Sequence, residues 1–206
     1  MELNICHLYP DILNLYGDRG NVTCLQKRLE WRGIDCNVEG VSIGDKLEAS
    51  KYDLFFIGGG QDFEQGVLLQ DLSGEKTAEI KAAIEDEKVF LAICGGYQIL
   101  GSYYKTWDGQ QCDFLGALDL YTVGQKDRMI GNYMYECDDL GGQTVVGFEN
   151  HSGQTFLGDG VKPIGKVLSG YGNNGKDGYE GARYKNVYAT YSHGCLLPKN
   201  PAIADM

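Results

Sequence analysis

Short apolar runs alternate with helix-period segments through the first half of this chain, and that alternation restricts the fold more than any other feature. Residues 3–9 are apolar and end at a turn-like Pro10-Asp11. Val22, Leu25 and Leu29 then recur at helical spacing, and Gly33 supplies a stop. Residues 35–41 and 52–57 are the next strand candidates, the second running into Gly58-Gly59-Gly60. Ile80, Ala83 and Ile84 mark one face of a helix over 76–86, and 89–93 is a further apolar run. Strands separated by helices join as parallel neighbours through crossovers, so the expected architecture is α/β, a mostly parallel sheet flanked by helices. From Trp107 to Tyr191 the texture changes to short Tyr-, Val- and Thr-rich segments divided by glycines. Residues 128–136, 144–148, 164–168 and 182–191 are strand candidates there, expected as an antiparallel extension within one domain over 1–206. A helix start is read at the end, after Pro198-Lys199-Asn200-Pro201.

Composition narrows the function classes. The formal charge of -11 opposes nonspecific binding to nucleic acid or anionic lipid. No apolar run of about 20 residues is present, and the first residues show neither the basic region nor the small-residue cleavage site of a leader. Seven scattered cysteines without a C-x-x-C pair fit reduced thiols and a cytoplasmic location better than a disulfide framework. No Cys and His spacing suggests a metal site.

The strongest chemical signal is Leu91-Ala92-Ile93-Cys94-Gly95-Gly96-Tyr97-Gln98-Ile99-Leu100. An apolar strand runs into a cysteine, two glycines let the backbone close around it, and a helical pattern begins: the pattern of a nucleophile elbow. A helix N-terminus favours the thiolate, and backbone N–H groups beside the sulfur can face an oxyanion. The competing reading is a buried structural cysteine, which suits Cys24 and Cys36 better. Gly58-Gly59-Gly60 ends another strand and would share the carboxyl edge of the sheet with Cys94, either as oxyanion donors or as a plain tight turn. A thiol nucleophile needs an imidazole nearby. The choices are His7, within the first strand, His151, in a loop, and His193, at a strand end; context favours His193 over His151 by a modest margin. Gly170, Gly172 and Gly175 spell a G-x-G-x-x-G without the strand–turn–helix setting that a dinucleotide site requires. No phosphate-binding G-x-x-x-x-G-K-[ST] loop occurs, so no ATP site is expected in this chain.

Ile93-Cys94-Gly95-Gly96-Tyr97-Gln98 resembles the nucleophile motif of the cobyric acid synthase-type glutamine amidotransferases. More narrowly, Leu13-Asn14-Leu15-Tyr16-Gly17-Asp18-Arg19-Gly20-Asn21, Phe56-Ile57-Gly58-Gly59-Gly60-Gln61-Asp62, Gly147-Phe148-Glu149-Asn150-His151 and Gly170-Tyr171-Gly172-Asn173-Asn174 resemble the amidotransferase subunits of lipid II isoglutaminyl synthases. The ending Leu196-Leu197-Pro198-Lys199-Asn200-Pro201 does too, so the resemblance spans nearly the whole chain. It implies a flavodoxin-like class I glutamine amidotransferase fold. It implies hydrolysis of L-glutamine to glutamate and ammonia, with Cys94 as nucleophile, His193 as base and oxyanion donors near Gly60 and Gly95. It also implies a heterodimer with a Mur ligase-like subunit that carries ATP and Mg²⁺ and amidates D-glutamate of the lipid II stem peptide. The alternative within the class is the glutaminase component of a cobyrinate or cobyric acid-type amide synthase; outside it, an inactive scaffold that only binds its partner.

Arg128 matches the family's glutamine-carboxylate position, and a guanidinium suits bidentate carboxylate capture, although a solvated strand-end arginine looks the same in sequence. Gln98, four residues past Cys94, can share its side of the helix and is a second substrate-binding candidate. Many class I amidotransferases carry a glutamate two residues after the histidine; Cys195 stands there in this chain, where the narrower family usually has proline. The acid that orients His193 then comes from elsewhere in the chain, from the partner, or is missing.

Overall fold

The computed structural model describes residues 1–60 and 62–206, and the side chains of all of these except 62–66. Gln61, within the segment 56–62 singled out above, lies outside the described residues, as does the side chain of Asp62.

The first sheet is built from β1 (Glu2–Leu8), β2 (Asp35–Val41), β3 (Leu54–Ile57), β4 (Val89–Ile93), β11 (Ala182–Tyr184) and β12 (Val187–Thr190). Its order is β11-β12-β4-β3-β1-β2, parallel throughout except for the β11–β12 pair. Without the edge strand β11 this is the 2-1-3-4-5 order of a flavodoxin-like sheet. The central strands lack the period-2 alternation because both faces are covered: Phe55, Phe56, Phe90, Ala92 and Ile93 are all fully buried. Phe55 and Phe90 stack across the β3–β4 pair with ring centroids 4.5 Å apart.

The crossovers are α1 (Arg19–Trp31), which lays Val22 and Leu25 on the sheet, and the pair α2 (Asp62–Asp71) and α3 (Glu75–Glu85), the latter burying Ile80, Ala83 and Ile84. These are the faces that the helical spacing marked. α4 (Gly95–Ile99) follows Cys94 and is only five residues long. At the end, α5 (Leu196–Lys199) and α6 (Pro201–Asp205) pack against α1, with Pro201 at the start of α6 as a helix tolerates it. Among the described residues no helix is long and apolar enough to cross a membrane.

The second sheet is the antiparallel extension, more extensive than the sequence predicts. It holds β5 (Tyr103–Lys105), β6 (Gln111–Asp113), β9 (Gly165–Ser169) and β10 (Tyr179–Glu180) around two long strands, β7 (Leu120–Cys137) and β8 (Gln143–Leu157). The expected strand over 182–191 is split into β11 and β12 by a turn in which Lys185 takes φ 48°. One hydrophobic core joins the two sheets, running from Ile5 and Phe90 through Leu120 to Tyr133, Val145 and Ile164. The sheets also meet at a bridge between Phe148 of β8 and His193, which follows β12: the His193 N–H donates to the Phe148 carbonyl at 2.7 Å.

Candidate active site

Because β1, β3, β4 and β12 are parallel, their carboxyl ends open on one edge. Four segments converge there: the loop after β1, the glycines after β3, Cys94 after β4, and residues 191–193 after β12. Cys94 is buried and held at φ 48°, ψ −102°. A side chain at positive φ is strained by roughly 1–3 kcal/mol, and such strain recurs at nucleophile elbows. The turn closes because its neighbours are small. A Cβ on Gly96 would lie 2.7 Å from the Ile57 carbonyl oxygen and 2.8 Å from that of Gly58. With its short α4, the elbow has little helix dipole behind it. The positive charge opposite the sulfur is an imidazolium.

That imidazolium is His193, fully buried beside Cys94. Its Nδ1 lies 3.2 Å from Oδ2 and 3.4 Å from Oδ1 of Asp18. Burial lowers its pKa, but the Cys94 sulfur and the Asp18 carboxylate outweigh that and raise it to about 10. Nε2 has no hydrogen-bond partner among the described residues. One nitrogen is thus fixed by an acid while the other is left for chemistry, the division of labour an acid–base histidine requires.

Asp18 is the residue that sequence reasoning missed. It is fully buried at the start of α1 and accepts the Gly59 N–H at 2.8 Å as well as facing His193. The Leu15 N–H donates to the Gly59 carbonyl at 3.0 Å, pinning the whole 13–18 loop onto the glycines. Gly59 is required by this fit: a Cβ there would lie 2.4 Å from Cε1 of His193 and 2.9 Å from Oδ2 of Asp18. The sequence offers only a weak signal in Gly17-Asp18-Arg19-Gly20, an acidic residue in the loop after the first strand and therefore at the site edge. The orienting acid sought near Cys195 comes from the opposite end of the chain. Cys195 itself holds φ 52°, which a proline cannot adopt, and its Sγ–H donates to the Gly17 carbonyl at 3.1 Å.

Arg128 lies in β7, at the bulge between Gly124 and Met129, and is exposed. Its Nε donates to Oδ1 of Asn150 at 2.8 Å and its Nη2 to the Asn150 carbonyl at 3.0 Å. The Asn150 amide in turn donates to the Tyr16 hydroxyl, and the Tyr16 ring meets His193 edge-on at 4.9 Å. Arg128 is therefore tethered at the rim of the same site. Gln98 lies further in than this rim. It is buried and donates at 3.0 Å to the Tyr191 hydroxyl, within a network that continues to Thr155 and Thr122. The spacing that placed it on the Cys94 side of the helix also turned it inward.

His151 is not an alternative partner for the sulfur in this arrangement. Its ring stacks on Tyr191 at 3.5 Å, Nδ1 pairs with the Gly153 carbonyl at 2.7 Å, and Nε2 faces Glu149 at 3.6 Å. His7 packs edge-on against Phe56 in the core, as a strand histidine would. The G-x-G-x-x-G run forms a carboxylate nest: the N–H groups of Tyr171 and Gly172 hold Glu149 at 2.8 and 3.0 Å.

A flavodoxin-like sheet with a cysteine elbow at its carboxyl edge defines a class, the cysteine-dependent glutamine amidotransferases of class I type. Within that class the chain belongs to the CobB/CobQ-like glutamine amidotransferase domain family, whose model matches residues 4–201. Over 204 residues it is 46% identical to the GatD subunit of a glutamine-hydrolyzing lipid II isoglutaminyl synthase from Staphylococcus aureus, covering 99% of this chain and 82% of the relative. It is 43% identical to the subunit of the same name from Streptococcus pneumoniae, covering 98% of this chain and 78% of the relative. Among solved structures it resembles PurLQS from Thermotoga maritima, with a TM-score of 0.68 at 17% identity over 94% of this chain and 88% of that one. At that identity the likeness concerns the fold.

Proposed function

We propose that this chain is the glutaminase subunit of a lipid II isoglutaminyl synthase, with Cys94, His193 and Asp18 as its catalytic line. The observation that carries the reading is the buried His193, paired with Asp18 through Nδ1 and coupled to Cys94. The Cys94 thiolate attacks the side-chain carboxamide carbon of L-glutamine. The carbonyl oxygen takes up the negative charge, and in this reading the N–H groups of Gly60 and Gly95 serve as its donors. Protonated His193 gives its Nε2 proton to the departing nitrogen as the tetrahedral intermediate collapses to a thioester and ammonia. The neutral imidazole then takes a proton from water, which adds to the thioester carbon. Glutamate leaves and the thiolate and imidazolium are restored. Asp18 keeps the ring in register and stabilises its cation. Arg128 offers its planar fork to the glutamine α-carboxylate, with Asn150 holding the guanidinium in place. Gln98, whose amide also bonds the Tyr191 hydroxyl, is the second candidate contact for the substrate.

The names of the relatives support a subunit that feeds ammonia to a synthase. The partner is a Mur ligase-like subunit; ATP and Mg²⁺ act there, and D-glutamate of the lipid II stem peptide is the acceptor. The cytoplasm is the expected compartment, consistent with free thiols at all seven cysteines among the described residues. The test is amidation of lipid II by the reconstituted pair with L-glutamine and ATP. Product from the wild-type pair and none with Cys94→Ala supports the reading; glutamine-dependent amidation that survives Cys94→Ala overturns it.

A further inference from the structure

We propose that Glu180 is a positioning residue for the Cys94–His193 pair, its charge fixing the segment 190–192 on which both depend; the inference rests on the glutaminase reading above. Glu180, in β10, is fully buried, a rare place for a carboxylate. Its Oε1 accepts the Thr190 hydroxyl at 2.7 Å and the Tyr191 N–H at 2.8 Å. Its Oε2 has no hydrogen-bond partner among the described residues. Thr190 is the junction. Its carbonyl accepts the Cys94 N–H at 2.8 Å, and its hydroxyl oxygen accepts the Ser192 N–H at 3.0 Å. Because the hydroxyl proton is directed to Glu180, the oxygen lone pairs are left for Ser192, and His193 is the next residue. One buried carboxylate thus reaches the nucleophile through the Thr190 backbone and the histidine through the Thr190 side chain.

The charge state of Glu180 changes near neutral pH. Burial raises its pKa to about 7 against the bonds from Thr190 and Tyr191 and the nearby Tyr133 hydroxyl, and Glu149 pushes the same way as burial. The groups that face it are Glu149 from β8, Tyr133 and Tyr135 from β7, Tyr97 from α4, and Thr190 and Tyr191 from β12. The four tyrosines are pushed by burial above the usual phenol range and stay neutral through this window. Ionised Glu180 holds its two donors by charge-assisted bonds, roughly twice as strong as the neutral bonds of the protonated acid.

The experiment compares Glu180→Gln with wild type, each assembled with the amide-forming partner, in glutaminase assays from about pH 5.5 to 9. Glutamine keeps the size and the acceptor oxygen but never carries the charge. The ratio of the two enzymes at each pH cancels the titrations of Cys94, His193 and substrate. We expect kcat ratios near one below about pH 6 and about tenfold lower for the variant above about pH 8, with KM unchanged. A ratio that does not vary with pH, whether at one or below it, overturns the proposal. If Glu180→Gln does not fold, Thr190→Val and Thr190→Ser carry the test. Valine removes the donor and should lose activity above about pH 8, and serine should restore it. A valine variant equal to wild type above about pH 8, or a serine variant as impaired as the valine one, overturns the idea. Cys94→Ala is the control: if it retains glutaminase activity, the broader reading fails whatever Glu180 does.

Discussion

The imidazole of His193 is claimed by two acids, and their separate contributions can be measured. Asp18→Asn keeps the shape but removes the charge and presents an amide to Nδ1, which favours the wrong tautomer. Turnover should fall by about 10²–10⁴-fold, the scale of a misdirected general base. The same change tests the ring's pKa. Its folded value, about 10, lies above the ordinary 6.5, so its protonation stabilises the fold fully below 6.5, and that contribution is lost as pH rises through 10. Removing Asp18 lowers the folded value. The stability gap between wild type and Asp18→Asn should be widest near pH 6 and close toward pH 10, as read from urea midpoints; a gap that widens with pH would show the pairing to be misassigned. Arg128→Lys addresses the rim: it keeps the charge but loses the fork. A higher KM for glutamine with normal folding is expected, and an unchanged KM would mean another group holds the α-carboxylate. Of these residues, Cys94 stands out in the sequence because an apolar strand runs straight into it, whereas His193, three residues past β12, leads His151 on context by only a modest margin and takes the role of base from the resemblance. Asp18 does not stand out, because a buried carboxylate in a polar loop looks in sequence like any solvated aspartate.

Elements set the tolerances within which those side chains meet. The strand-end glycines bring the 13–18 loop against β3, and Gly59 has no spare volume. Gly59→Ala should cost about 1–3 kcal/mol by overpacking and displace the His193 ring. Denaturation midpoints and the rate of Cys94 alkylation by a chloroketone analogue of glutamine check both effects; normal alkylation with full stability would show that the loop yields freely. The parallel sheet was readable because β2 and β4 are bounded by turn residues and β4 is wholly apolar after its first position, so both matched the expected bounds. The long antiparallel pair was underestimated for a physical reason. β8 turns Glu149, His151 and Thr155 inward, where Glu149 bonds the 171–172 backbone, Thr155 bonds the Tyr191 hydroxyl and His151 stacks on the Tyr191 ring, so its buried face is polar and lacks the apolar alternation of a strand. In β7 the charged run Lys126-Asp127-Arg128 falls in the bulge and breaks the period at the point where Arg128 reaches the site. The bulge that hides β7 is also what places Arg128 at the rim of the site.

At the scale of the whole molecule, the question is what a partner adds to a site whose acid, base and nucleophile come from one chain. Asp18 removes the need for a partner to orient His193. What remains open to a partner is the rim, where Tyr16 and Arg128 are exposed and linked through Asn150. Docking at this edge would set those groups, not the buried histidine. The isolated chain should therefore hydrolyse glutamine slowly. Assembly should raise kcat/KM chiefly through a lower KM, while the pH dependence that reports His193 stays where it was. Ammonia released to bulk water is diluted and mostly protonated at neutral pH, so a productive complex must pass it directly to the activated acceptor. In a Cys94→Ser complex that source is lost while the acceptor chemistry remains, because a hydroxyl is a far weaker nucleophile here. Such a complex should fail with glutamine yet amidate lipid II when ammonium is supplied in excess at alkaline pH, with wild-type dependence on ATP. Rescue by ammonium together with loss of glutamine use divides the two half-reactions between the subunits. Failure of both would mean that Cys94 also supports the partner's active conformation.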